Sequence, residues 1–222
     1  MIVYRPLCEN DDLNIISDWI YQTDKIFNFL FKTKENAIDA ISKLILSNTK
    51  NLYHKDFITV ASEGDNILGI VISYRGCDFS YSEVVKALLD THCTSYFRAH
   101  MFPVLDEILA SYVGDNEYYI GILYVNPNFR HNKMGSKLVN YCINEAKNLN
   151  CDCVKLDVES FKRSLPNFYA KFGFKQDSYN FFKSINTYNH NFILTMIGKV
   201  CISHSFGLDY GCYGMKLNLK WF

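Results

Sequence analysis

The apolar positions of the chain change period several times, and each change marks an element. Ile2 to Arg5 reads as a short strand. Asn10-Asp11-Asp12 offers helix caps ahead of Leu13, Ile16, Trp19 and Ile20, whose spacing makes one apolar helical face. Ile26, Phe27, Phe29, Leu30 and Phe31 follow as an aromatic stretch, read either as core or as one wall of a binding pocket. Ala37, Ile38, Ile41, Leu44 and Ile45 mark a further helix. Phe57 to Ala61 and Ile67 to Tyr74 are strands joined through the hairpin turn Glu63-Gly64-Asp65-Asn66. Residues 75–116 carry helical patterns at Val84-Val85-Leu88-Leu89 and Val104-Leu105-Ile108-Leu109. Tyr118 to Val125 is a buried strand, broken by Asn126-Pro127-Asn128, since proline lacks the N–H that a ladder needs. Leu138, Val139, Cys142, Ile143, Ala146 and Leu149 then recur at helical intervals, and Cys153 to Val158 alternates as another strand. Near the C-terminus Met215, Leu217, Leu219 and Trp221 alternate with Lys216, Asn218 and Lys220, a half-buried strand expected to cap a sheet edge or pair with a second subunit.

Composition narrows the class. A chain of 222 residues that is 49% hydrophobic can bury a full core, so residues 1–222 are read as one domain. The 23 basic and 23 acidic residues cancel, which predicts no general attraction to nucleic acid or to an anionic membrane. No apolar run is long enough to span a bilayer, and Met1 to Asn10 has no signal-peptide layout. The eight cysteines are scattered without a Cys-x-x-Cys pair, which predicts reduced thiols in a cytoplasmic protein and no metal site.

The chemistry concentrates after the strand at 118–125. Arg130, His131, Asn132, Lys133, Met134, Gly135 and Ser136 sit where the next helix exposes its first unpaired amides, an end that favours phosphate. Arg130, Lys133 and Lys137 add formal charge, and Gly135 admits a ligand close to the backbone. Downstream, Ser164 to Phe174 reads as a short helix stopped by Gly173 before a strand begins.

With these two stretches in order, the chain resembles the GNAT superfamily of acetyl-CoA-dependent N-acetyltransferases. That family's cofactor loop, Gln/Arg-x-x-Gly-x-Gly/Ala, falls on Arg130, Lys133 and Gly135, and its Tyr-x-x-x-Gly-Phe motif falls on Tyr169, Gly173 and Phe174. The resemblance covers residues 1–75 and 117–200 by pattern and 117–175 by motif. It implies an α+β fold: a central mixed, mostly antiparallel sheet splayed between its fourth and fifth strands, with helices on both faces. Onto this it leaves a helical insertion at 75–116, similar to one found in branches acting on small amines, and a C-terminal extension at 201–222 with an extra strand. Asn191 to Ile197 would be the family's last strand. Lys133 stands where the family has its first loop glycine, which requires a backbone conformation open to a side chain, as in a helical first turn.

The resemblance further implies transfer of an acetyl group from acetyl-CoA to a primary amine of a small molecule or peptide, by direct attack in a ternary complex. The protein would act as a monomer or homodimer. Leu123, Tyr124 and Val125 would hold the pantetheine arm, residues 130–136 the pyrophosphate, and Lys162 a further phosphate. An alkylamine has a pKa of about 10.4, so roughly one molecule in a thousand is neutral at pH 7 and a base helps. Glu117 is the candidate base, sharing a face by alternation with Tyr119, Gly121 and Leu123; Asp157 and Glu159 are rivals. Tyr169 matches the family's general acid. A phenol near 10 against a thiol near 8.5 makes full proton delivery uphill by about 2 kcal/mol, so a hydrogen bond to the sulfur is the expected role. The alternative is a GNAT-fold protein that binds acyl-CoA without catalysis, as a sensor or scaffold.

Overall fold

The computed structural model describes residues 1–130, 133–181 and 211–219. The expected strand at Asn191–Ile197 lies outside these residues. Among the described residues, seven strands form one sheet in the order β1-β2-β3-β4-β5-β7-β6. They are β1 (Val3–Pro6), β2 (Ile58–Glu63), β3 (Asn66–Arg75), β4 (Glu117–Val125), β5 (Cys153–Glu159), β6 (Lys175–Phe181) and β7 (Gly211–Asn218). Neighbours are antiparallel except β4 and β5, which run parallel.

Helices cover both faces. On one lie α1 (Leu13–Thr23), α2 (Ile26–Leu30), α3 (Lys34–Ile45), α4 (Tyr81–Asp90) and α5 (Tyr96–Leu109), whose apolar residues join Ile58, Val60, Ile70 and Ile72 in one core. On the other lie α6 (Met134–Asn148) and α7 (Leu165–Ala170), packed on Val71, Tyr118, Ile120, Val154 and Leu156. Local chemistry explains the starts. The Asp12 carboxylate accepts from the amides of Asn14 and Ile15 to begin α1, and Ser80 with Glu83 forms a reciprocal capping box on α4. The aromatic stretch after α1 is mainly core, with Phe27 and Leu30 wholly buried.

The C-terminal strand lies elsewhere than its alternation suggested. Gly211–Asn218 is no edge strand: it sits between β5 and β6, pairing Cys153–Glu159 on one side and Lys175–Phe181 on the other. Its apolar residues Met215 and Leu217 belong to the α6 face core, and among the described residues the edge falls to β6.

Candidate active site

The site begins where β4 and β5 part. Their parallel pairing runs from Glu117↔Cys153 to Ile120↔Leu156 and stops, although β4 continues to Val125 and β5 to Glu159. On its other side β4 stays paired with β3 as far as Gly69↔Val125. The register there slips by one residue: Ser73 pairs Ile120 and Ile72 pairs Ile122, so Gly121 is an extra residue with no partner on β3. Such a bulge bends its strand and swaps the faces beyond it. Tyr118 and Ile120 point toward α6, as do Leu123 and Val125, whereas Tyr119, Ile122 and Tyr124 point toward α1 and α5. Plain alternation, which put Glu117, Tyr119 and Leu123 on one face, therefore fails at Gly121. The Tyr124 ring stacks on Trp19 at 5.0 Å, tying α1 to this strand.

Past Val125 a turn leads to the start of α6. Lys133 is its N-cap residue and makes no side-chain cap, so the first-turn amides of Met134, Gly135 and Ser136 keep the open donors of a helix end. Lys133 takes the left-handed conformation, φ 56° and ψ 22°, rather than the first-turn geometry expected for a residue with a side chain. This corrects the sequence reading: the backbone keeps the shape that a glycine would fill more easily, at a cost of about 1 kcal/mol for a non-glycine residue. Lys133 is exposed, and Arg130 Nε donates to the Val125 carbonyl at 3.3 Å. Gly135 has room for a Cβ, which would meet Phe168, Val125 and Leu123 at ordinary contact distance. Met134 buries its side chain in the core, leaving its backbone for the loop. His131 and Asn132 lie outside the described residues.

A cavity of about 190 Å³ opens at this parting of the strands. Ile120, Gly121, Ile122 and Leu123 border it from β4, and Leu156 to Glu159 from β5. It reaches Tyr169 and Leu165 on the α7 side and Asp24, Tyr53, Phe102 and Asp106 on the side of α1 and α5. The insertion thus supplies one wall through α5. His92 and His100 do not border the cavity; His100 stacks on Tyr96 near the start of α5.

Three carboxyls on this wall are each held by a phenol. Tyr53 donates to Asp24 at 2.8 Å, Tyr81 to Asp106 at 2.5 Å and Tyr119 to Asp157 at 2.8 Å. Asp157 also accepts from the Ser111 amide and hydroxyl, both at 2.8 Å. Burial raises the pKa of Asp157 above the usual carboxylate range, against the opposing pull of Ser111 and Tyr119. Burial likewise raises Asp24, and it lifts Asp106 to about 6 with help from the charges of Asp24 and Asp157. Space for this arrangement depends on Gly214, which pairs with Asp157 across β5 and β7; a Cβ there would lie 2.3 Å from Ser111 Oγ.

The expected base sits elsewhere. Glu117 does not border the cavity but lies at the closed end of the strand pair, 2.6 Å from Lys155 Nζ and 3.6 Å from Lys216 Nζ. Burial opposes its ionisation, yet Lys155, the Gly114 amide and Cys153 outweigh that and hold its pKa at about 2. A carboxylate so stabilised is a poor proton acceptor near neutrality. Lys162 borders the cavity, but its ammonium pairs with Glu159 rather than standing open for phosphate. Tyr169 borders it too, with its ring edge-on to Phe168 and Phe174. Burial pushes its phenol up to about 12. Gly173 behind it has φ +91°, which explains the glycine of this motif, and a Cβ there would press on Leu217 at 3.2 Å. Ser111, Asp106 and Gly214 were missed as site residues. The hydrogen bonds of Ser111 to Asp157 span 46 positions, so no local pattern announces them.

The fold agrees with known proteins. A model of the acetyltransferase (GNAT) family matches residues 26–174, and the chain belongs to that family. Comparison with curated protein sequences finds no match. Among solved structures the chain is similar to an N-acetyltransferase from Staphylococcus aureus Mu50, at a TM-score of 0.63 and 16% identity over 97% of this chain and 100% of that one. It is similar also to a GNAT family acetyltransferase from Elizabethkingia anophelis with acetyl-CoA bound, at a TM-score of 0.52 and 15% identity over 98% of each chain. At such identities the likeness is one of fold. Among the described residues no helix is long and apolar enough to cross a membrane.

Proposed function

We propose that this acyltransferase moves the acetyl group of acetyl-CoA onto a primary amine of a small molecule, held in the cavity between the parted strands and α5. The observation that carries the reading is that β4 and β5 separate beyond Ile120 onto a cavity bordered by Asp24, Asp106 and Asp157. An ammonium-bearing acceptor suits such a wall, and a volume of about 190 Å³ suits a small molecule more than a folded partner.

The residues fit the donor. The edge of Gly121–Val125 left without a strand partner offers backbone groups to the amide-bearing pantetheine arm, as a further strand would use them. The open amides at Met134–Ser136, with the Lys133 ammonium, suit the pyrophosphate. Amides of this β4 segment would receive the thioester oxygen as it gains charge, the kind of fixed donor that supplies a large share of catalysis.

Asp157 takes the role first assigned to Glu117. It stands just past the last paired residue of β5, fixed by Ser111 and Tyr119, and its raised pKa brings it closer to the working pH of a base. Asp157 accepts the proton of the attacking ammonium, directly or through Tyr119. The amine nitrogen then bonds the carbonyl carbon and sheds its second proton to solvent, the carbon–sulfur bond breaks, and the departing thiolate takes up a proton from solvent in turn. Tyr169 donates a hydrogen bond to that sulfur. With its phenol at about 12 against about 8.5 for a thiol, full transfer would be uphill by about 5 kcal/mol, more than the unperturbed values imply.

The test is thiol release from acetyl-CoA across a panel of small amines, with acetyl-CoA binding measured separately by calorimetry. Release with an amine, and weaker binding on Lys133→Glu, are the expected results. Binding without release from any amine would favour the non-catalytic acyl-CoA sensor, and absence of binding would overturn both.

A further inference from the structure

We propose that the Tyr74 hydroxyl reads the acceptor, so that the preferred acceptors are amines that also carry a hydroxyl, the amino alcohols; this rests on the acetyltransferase reading above. Among the described residues four phenols border the cavity, those of Tyr53, Tyr74, Tyr119 and Tyr169. Tyr53 donates to Asp24 and Tyr119 to Asp157. Tyr169 is assigned to the departing sulfur. That leaves Tyr74, which is 7% exposed, and no described residue shares a hydrogen bond with its hydroxyl. A buried phenol normally finds a partner, and one without it marks a place where a ligand supplies the missing bond.

The ring is fixed, and its hydroxyl end is the part turned to the cavity. Tyr74 lies opposite Tyr119 in the β3–β4 register, with the two ring centroids 5.5 Å apart. Phe79 at 4.8 Å and Phe57 at 5.8 Å hold the ring, and neither of them borders the cavity. The carboxyls whose charges reach the hydroxyl, Asp106, Asp24 and Asp157, all do. Burial, and after it the charges of Asp106, Tyr81, Asp24 and Asp157, keep the phenol well above the ordinary tyrosine range, so it holds its proton and stays a donor.

That proton decides the class. A donor needs a lone pair, and an ammonium has none. Once Asp157 has taken the ammonium proton, the lone pair of the amine is committed to the acyl carbon. The acceptor must therefore bring a second atom with a lone pair. A carboxylate would be repelled by the acids of the wall. A hydroxyl is neutral, accepts from Tyr74 and donates in turn to a carboxyl, which a carbonyl cannot do. Because Tyr119 both adjoins Tyr74 and holds Asp157, a short chain joins the two polar ends.

The experiment takes 2-aminoethanol, 3-amino-1-propanol and 4-amino-1-butanol, each against the alkylamine in which methyl replaces the hydroxyl. The readouts on the full chain are kcat/KM for thiol release and calorimetric binding in the presence of CoA. At the length that fits, the amino alcohol is expected to exceed its alkylamine by about tenfold in each, since the analogue leaves a buried hydroxyl unpaired. Tyr74→Phe should bring that ratio close to one with the KM for acetyl-CoA unchanged. It should also leave the urea unfolding midpoint unchanged or raised, because the ring stays and no protein hydrogen bond is lost. Equal preference at every length, or a ratio that survives Tyr74→Phe, overturns the proposal. So does a fall in the unfolding midpoint with the ratio intact, which would make the hydroxyl a part of the fold. Binding selective for the amino alcohol and lost in Tyr74→Phe, without thiol release, upholds this inference while the acetyltransferase reading falls. Release with equal preference upholds the reading while this inference falls.

Discussion

The two ends of the β4–β5 strand pair are built from similar residues and do opposite things. At the closed end Glu117 opposes Cys153, and its carboxylate is held by Lys155 and Lys216. Lys155 in turn donates to the Tyr112 carbonyl, so the same ion pair pins the end of the insertion to the sheet. At the open end the bulge at Gly121 turns β4 away, β5 stays with β7, and one acid there, Asp157, accepts its hydrogen bonds from neutral donors, the Ser111 amide and hydroxyl and the Tyr119 phenol. A cation beside a carboxylate drives its pKa down and makes it structural; phenol and hydroxyl donors in a buried setting leave it able to take a proton. The difference teaches that the partner, more than the acid or the strand, decides which carboxylate is fitted for chemistry.

Altering the open end should have the largest effect. Asp157→Asn keeps the shape and most hydrogen bonds but removes the proton acceptor, and turnover should fall by about 10²–10³-fold with acetyl-CoA affinity unchanged. Steady-state kinetics with calorimetry check this, and an undiminished rate would end the assignment of Asp157.

The closed end should answer in stability instead. Glu117→Gln leaves Lys155 partly buried without its counter-charge and should cost about 3 kcal/mol in urea unfolding, with turnover per folded molecule little changed. The sign follows from its lowered pKa. Its contribution is present above the ordinary glutamate value and is lost as pH falls toward about 2. A stability profile in which Glu117→Gln matches the unaltered protein at neutral pH would contradict this.

Smaller effects sharpen the contrast. Tyr169→Phe should lower kcat by about tenfold, the scale of a lost hydrogen bond to a charged sulfur, and leave acetyl-CoA binding intact. A thousandfold loss would mean that the phenol delivers its proton outright. Smallest is Lys133→Gly, which should raise stability by about 1 kcal/mol by relieving the left-handed lysine, as thermal or urea unfolding would show. No gain would mean that the loop holds that shape without strain.

Much of this was readable in the sequence. The helix and strand periods located the elements, and the two spaced motifs at Arg130–Gly135 and Tyr169–Phe174 point to the family. What failed, failed for physical reasons. Alternation is a local rule, and one bulge residue, Gly121, reversed the faces between Glu117 and Leu123. The alternating C-terminal stretch predicted a strand, but insertion between β5 and β6 is set by long-range pairing that period cannot encode. A neutral net charge hid the acidic wall, because Asp24, Asp106 and Asp157 come from three elements far apart in the chain. The strain at Lys133 was invisible, since a motif position says which residue is usual there and not which φ it adopts.

Hydrogen exchange along β4 and the start of α6, with and without acetyl-CoA, tests the contrast most directly. The account predicts that acetyl-CoA slows exchange within residues 121–125 and 134–136 and leaves 117–120 unchanged, because the Glu117 amide already donates to the Gly114 carbonyl and 118–120 lie in closed pairing with β3 and β5. Protection spread evenly along β4, or none at the open end while acetyl-CoA is bound, would contradict it.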